Sequence, residues 1–103
     1  MTEGKSAPVR EVVVPRYDLI PLELLNRIAL IYAEGAQRYG DRTWIKGQPF
    51  SVPLNHIFEH LRRYQQGDRG EDHLAKVAWG VLSLMYYETH HPEMDDWTER
   101  MML

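Results

Sequence analysis

The 103-residue chain contains no cysteine. That excludes disulfides, thiolate nucleophiles and cysteine-bound zinc, so any metal must sit on His, Asp or Glu. It also lacks a surplus of positive charge: 12 Lys and Arg stand against 15 Asp and Glu, a formal net charge of −3. Binders of nucleic-acid polymers draw affinity from cations on phosphates, so this balance excludes that class. A single nucleotide is not excluded, because one pocket needs only a few cations. No apolar run approaches the roughly 20 residues that span a bilayer. The opening Met1-Thr2-Glu3-Gly4-Lys5 lacks the apolar stretch of a signal peptide. These two absences imply a cytoplasmic protein with no membrane partner. A Gly-rich phosphate loop, a Ser/His/Asp set, a zinc-protease helix motif, internal repeats and low-complexity tracts are absent too.

What is present predicts an all-α fold, a small antiparallel helical bundle with an extended N-terminal arm. The length suits one domain with a thin core. Residues 1–16 mix Pro, small and charged residues around Val12-Val13-Val14 without a helical period, and read as the arm; residues 17–103 form the helical domain. A first helix starts at Pro21, with Glu23 at the positive end of its dipole, and ends at Gly35 or Gly40. The stretch 39–53 is rich in turn formers yet holds Trp44 and Phe50, aromatics that anchor a loop or line a pocket. A second helix begins near Ser51 and Pro53, with Leu54, Ile57, Phe58 and Leu61 on one face and His56, His60 and Arg63 on the other. After the polar turn 65–70, a third helix spans about 71–89, with Leu74, Val77, Ala78, Val81, Leu82 and Met85 as its core stripe and Trp79 and Tyr86 opposite. Residues 92–103 read as a cap and a short last helix. Helices one and three are apolar on two sides, which predicts a homo-oligomer in which a second subunit completes the covering.

Polar residues concentrate on helix two (His56, Glu59, His60, Arg63) and at the start of helix three (Glu71, Asp72, His73, then Lys76). A short turn makes these helices antiparallel neighbours and brings the two groups together. Carboxylates and imidazoles meeting there suit Mg²⁺ or Mn²⁺. The same spacing also suits ordinary surface ion pairs, Glu59 with Arg62 or Arg63 and Asp72 with Lys76, each worth about 0.2–0.5 kcal/mol. Spacing leaves both readings open.

The ordered strings Arg16-Tyr17-Asp18-Leu19-Ile20-Pro21, Gly35-Ala36-Gln37-Arg38-Tyr39-Gly40-Asp41-Arg42-Thr43-Trp44 and Gly47 resemble the phage and bacterial dATP/dGTP diphosphohydrolase family. The similarity continues through Glu59-His60-Leu61, Gly67-Asp68, Glu71-Asp72-His73-Leu74-Ala75, Ala78-Trp79 and Pro92-Glu93-Met94-Asp95-Asp96. The helical outline also looks like the MazG-like all-α pyrophosphohydrolases. The resemblance implies hydrolysis of a purine (deoxy)nucleoside triphosphate to monophosphate and pyrophosphate, with Mg²⁺ or Mn²⁺ as cofactor, in a host cytoplasm if the chain is phage-encoded. By position it implies Glu59, His60 and Asp72 as metal ligands, and His73, Lys76 and Glu71 as catalytic residues. Asp18, Arg38, Trp44 and Arg63 would contact the nucleotide, with Trp44 at the cleft edge against the base. Where the family often has His, Asn and Asn, this chain has Lys76, Gly80 and Thr43.

Two function classes follow. One is the metal-dependent pyrophosphohydrolase; the other is a catalytically silent helical module for nucleotide binding or assembly. A His/Asp metal phosphohydrolase that releases triphosphate is disfavoured by the missing His-Asp dipeptide.

Overall fold

The computed structural model describes residues 12–97; residues 1–11 of the arm and residues 98–103, which include most of the anticipated last helix, lie outside it. All regular structure among the described residues is helical: α1 (Leu22–Tyr39), α2 (Ser51–Gln65) and α3 (His73–His90), with short 3₁₀ turns at Tyr17–Leu19, Thr43–Lys46 and Pro92–Met94. Residues 12–16 carry no regular structure and are exposed. α2 and α3 pack along most of their length, and α1 lies against α3. The contacts His60 to His73 and Ile57 to Gly80 run in opposite sequence directions, so α2 and α3 are antiparallel.

Local chemistry accounts for the boundaries. α1 runs through Gly35 and stops at Gly40, whose φ of +94° and N–H bond to Ala36 O close the helix end. α2 begins without a cap of its own, and the chain's tail provides one. Asp96 accepts from Ser51 N (2.8 Å) and Ser51 Oγ (2.6 Å), while Phe50 N donates to Met94 O, placing an anion at the positive helix end. α3 starts two residues later than the pattern implies, because Asp72 is not its first turn but its N-cap, accepting from Ala75 N at 3.1 Å.

The inward faces differ from those anticipated. The face of α3 that is buried carries His73, Gly80, Ser83 and Tyr87, whereas Leu74, Val81, Leu82 and Met85 from the anticipated core stripe are exposed, Met85 by 57%. On α2, Pro53 and Ile57 are buried with His60 and Arg63 half-buried, while Phe58 and Leu61 face out. Gly80 explains the inversion. A Cβ there would lie 2.8 Å from Ile57 Cγ1, so the missing side chain lets the two helices meet along a small-residue line. α1 has no buried residue at all.

Candidate functional site

The close α2–α3 contact brings together His60, Glu71 and His73. One nitrogen of each imidazole and one carboxylate oxygen lie within 4.8 Å of one another. The two Nδ1 atoms are 2.9 Å apart. One of them must donate and the other accept, so the pair shares one proton between two nitrogens. The spacing is also that of two adjacent ligands on one octahedral ion, about 3.0 Å for bonds of about 2.1 Å at right angles. His73 is 1% exposed, and its Nε2 has no aligned hydrogen-bond partner; Asp68 Oδ2 approaches it at 3.1 Å, out of line for a hydrogen bond. Burial lowers the pKa of His60, keeping the ring neutral with a lone pair to offer at neutral pH. Two imidazoles and a carboxylate, with a carboxylate behind His73, fit a divalent transition ion with positions left open for water or phosphate.

The surrounding charges are already paired. Arg63 Nη2 bridges Asp68 Oδ2 (3.0 Å) and Glu71 Oε2 (2.9 Å), and Lys76 Nζ holds Glu71 Oε1. The Lys76 ammonium is the main reason that Glu71 titrates below the ordinary carboxylate range. Asp68 is held down to about 2, first by the Gly70 N–H and then by His73.

Of the anticipated site residues, His60, Glu71, His73, Lys76 and Arg63 come together here. Asp72 does not join them: its side chain caps α3 and takes a two-pronged bond from Arg27, Nε to Oδ2 at 2.9 Å and Nη2 to Oδ1 at 2.7 Å. Arg27 thereby becomes its main partner and lowers its pKa to about 2. Glu59 is exposed beside Arg62, 3.6 Å away. Asp18 pairs with Arg16 (2.7 Å) on the exposed N-terminal stretch. The acidic side chains here are offset by basic ones: Asp68 and Glu71 share Arg63, Glu71 also holds Lys76, Asp72 has Arg27 and Glu59 has Arg62.

Beside the cluster opens a cleft of about 490 Å³ whose walls include Arg38, Trp44, His56, Lys76, Trp79 and Tyr87. That is within the range of small-ligand sites. A second hollow of about 320 Å³ shares Trp44 and Trp79 and adds Tyr32. The Trp44 ring makes edge contacts with Tyr32 (5.8 Å) and Tyr86 (5.0 Å). Its backbone is tied to the body, since Tyr87 Oη donates to Trp44 O at 2.6 Å. The loop after it is pinned by His91, whose Nε2 meets Ile45 O at 2.7 Å and whose ring packs against Gly47, where a φ of +88° and the lack of a Cβ are both required.

Residues 10–97 match the family model described as dATP/dGTP diphosphohydrolase, N-terminal. The chain belongs to this family. No curated protein and no solved structure matches it. Within the family's matched span lie the imidazole cluster and the aromatic cleft, so both belong to the region that defines the dATP/dGTP diphosphohydrolase N-terminal domain. No helix among the described residues is long and apolar enough to cross a membrane.

Several neighbours of the site escaped the sequence reading: Asp68, Arg27, Tyr87, His91 and the cleft position of His56. One signal was available for Tyr87. Lys76, Gly80, Ser83 and Tyr87 fall at i, i+4, i+7 and i+11, one helical stripe. Two small residues on such a stripe mark a close helix contact.

Proposed function

We propose that this chain hydrolyses a purine (deoxy)nucleoside triphosphate to monophosphate and pyrophosphate, with a divalent ion held by His60, Glu71 and His73, for which two imidazoles favour Mn²⁺ over Mg²⁺. The observation that carries the reading, beside the family, is the double position of Lys76, which is bonded to the cluster at Glu71 and also lines the cleft. A nucleotide in the cleft would therefore have its phosphates against Lys76, towards the cation donors, and its base between Trp44 and Trp79. A cation bound by the three donors would withdraw charge from phosphate oxygens and acidify a bound water. Lys76 and Arg38 offset charge on the triphosphate. His56, exposed on the cleft wall, accepts a proton from the attacking water. Arg63 works through Glu71, Asp72 through the α3 cap, and Asp18 and Glu59 stay outside the site.

A second copy of the chain is proposed to cover the outward apolar faces. Leu22, Leu24, Leu25 and Leu30 on α1 and Val81, Leu82 and Met85 on α3 are exposed, and apolar surface gathered in this way marks an association face. Light scattering at micromolar concentration tests this: a dimer or larger closed assembly is expected, and a monomeric mass contradicts it.

The binding-module reading has one observation in its favour, the balance of Arg63 and Lys76 against Asp68 and Glu71, which leaves the cluster without unpaired negative charge. Incubation with each purine nucleoside triphosphate and Mn²⁺, followed by product separation, decides between the two. Monophosphate plus pyrophosphate, lost in His60→Ala, supports hydrolysis. Intact triphosphate supports the module, and diphosphate contradicts the proposed bond of cleavage.

A further inference from the structure

Glu71 is the carboxylate of the three-donor cluster, and both of its oxygens are engaged by cationic side chains: Arg63 Nη2 on Oε2 at 2.9 Å and Lys76 Nζ on Oε1. The two cations are not held alike. Arg63 is fixed from two sides, because the same nitrogen meets Asp68 at 3.0 Å. Lys76 has Glu71 as its sole ion-pair partner among the described residues, and it lines the adjoining cleft with Arg38, His56 and Trp44. A lysine ammonium is a compact charge on a flexible four-carbon stem, able to turn its three donors from one acceptor to another.

We propose that Lys76 is a displaceable internal cation: its ammonium and a divalent ion are alternative partners of Glu71 Oε1, and ion binding turns the ammonium into the cleft, where it meets triphosphate oxygens. The inference rests on reading His60, Glu71 and His73 as a cation site. An oxygen capped by an ammonium offers no free lone pair in that direction, and an ammonium beside a dication is repelled. The imidazoles supply the reason for an ion to come. His73 is buried with one nitrogen lacking an aligned partner, and its other nitrogen lies 2.9 Å from that of His60. Metal uptake and phosphate binding are thereby linked through one side chain: the ion frees a positive charge for the substrate, and a substrate that holds this charge leaves Glu71 to the ion.

The test is calorimetric titration of the full chain with Mn²⁺, without nucleotide, in wild type, Lys76→Met, Lys76→Gln and His60→Ala. Removing the internal cation should lower Kd about tenfold or more in both Lys76 variants, and His60→Ala should lose binding. If wild type binds and both Lys76 variants bind equally or more weakly, the internal-cation proposal is overturned and the cation site stands. If wild type and both Lys76 variants fail to bind, the cation site itself is overturned, and this proposal with it. An independent readout in the unmodified chain is the NMR signal of the Lys76 ε-methylene during titration with diamagnetic Zn²⁺. It should move to the position of a solvated lysine as the site fills; a signal unchanged at saturation overturns the displacement.

Discussion

Replacing Tyr87 by Phe removes one oxygen from the largest fully buried side chain among the described residues and leaves its shape. Tyr87 is 1% exposed, and its hydroxyl donates to Trp44 O at 2.6 Å, joining α3 to the loop that carries the cleft's aromatic wall. The carbonyl is not orphaned by the change, because Gly47 N–H also bonds it at 3.2 Å. The loss is therefore the hydroxyl's bond to Trp44 O, about 1 kcal/mol net, together with the long one that the hydroxyl accepts from half-buried Gln48 Nε2 at 3.5 Å, rather than the larger cost of an unsatisfied buried carbonyl. For a domain of this size that lowers Tm by about 4–8 °C. The Trp44 backbone loses its hydrogen-bonded tether to α3 while its ring keeps the edge contact with Tyr86, so nucleotide affinity should fall, whereas Mn²⁺ affinity, set by residues on another part of the α2–α3 contact, should not. Melting curves and paired titrations with nucleotide and Mn²⁺ read these effects separately. An unchanged Tm would show that the hydroxyl bond contributes nothing. Equal losses of nucleotide and Mn²⁺ binding would refute the separation of wall from cluster.

Gly80→Ala gains about 1 kcal/mol of helix propensity but sets a Cβ 2.8 Å from Ile57 Cγ1. The overpacking cost of about 1–3 kcal/mol should prevail, so a lowered Tm is expected and a raised one would contradict the close α2–α3 contact. Asp72→Asn keeps a good N-cap residue and loses the Arg27 ion pair, so about 0.2–1 kcal/mol of stability should go while Mn²⁺ binding persists; Glu71→Gln should lose Mn²⁺ binding, and a loss of metal binding in the Asn variant would restore Asp72 to the site. The stability gap between wild type and Asp72→Asn should depend on pH in a defined sense. The folded pKa of Asp72, about 2, lies below its ordinary 3.8, so the gap is full above about pH 4 and closes as pH falls towards 2. Urea titrations at pH 6 and pH 2 check this, and a gap that widens in acid would refute the Arg27 assignment.

The helices were legible because their punctuation is local. Pro21, Gly40 and the turn around Gly67 and Gly70 mark ends through backbone conformation and lost donors, and these do not depend on packing. The inward faces were less legible. Hydrophobicity singled out Leu74, Val81, Leu82 and Met85 on α3, yet the helix turns Gly80 and Ser83 to α2, because close approach of backbones outweighs the burial of a few large side chains within one subunit. On α2 the half-buried His60 and Arg63 turn inward together with Ile57, while Phe58 and Leu61, grouped with Ile57 by their hydrophobicity, face out and Glu59 and His56 stay exposed. Asp72 shows a further limit. Its spacing to Lys76 marks a helix pair, but its partner Arg27 is 45 residues away on α1, a distance that no local pattern reports.

A divalent ion between His60, Glu71 and His73 is tested most directly by anomalous scattering from Mn²⁺-soaked crystals. A manganese peak is predicted at about 2.0–2.3 Å from one nitrogen of each imidazole and from a Glu71 oxygen, with the Lys76 ammonium no longer on Glu71. A map in which the two Nδ1 atoms keep their mutual hydrogen bond at 2.9 Å and manganese is found only elsewhere, or nowhere, would contradict it.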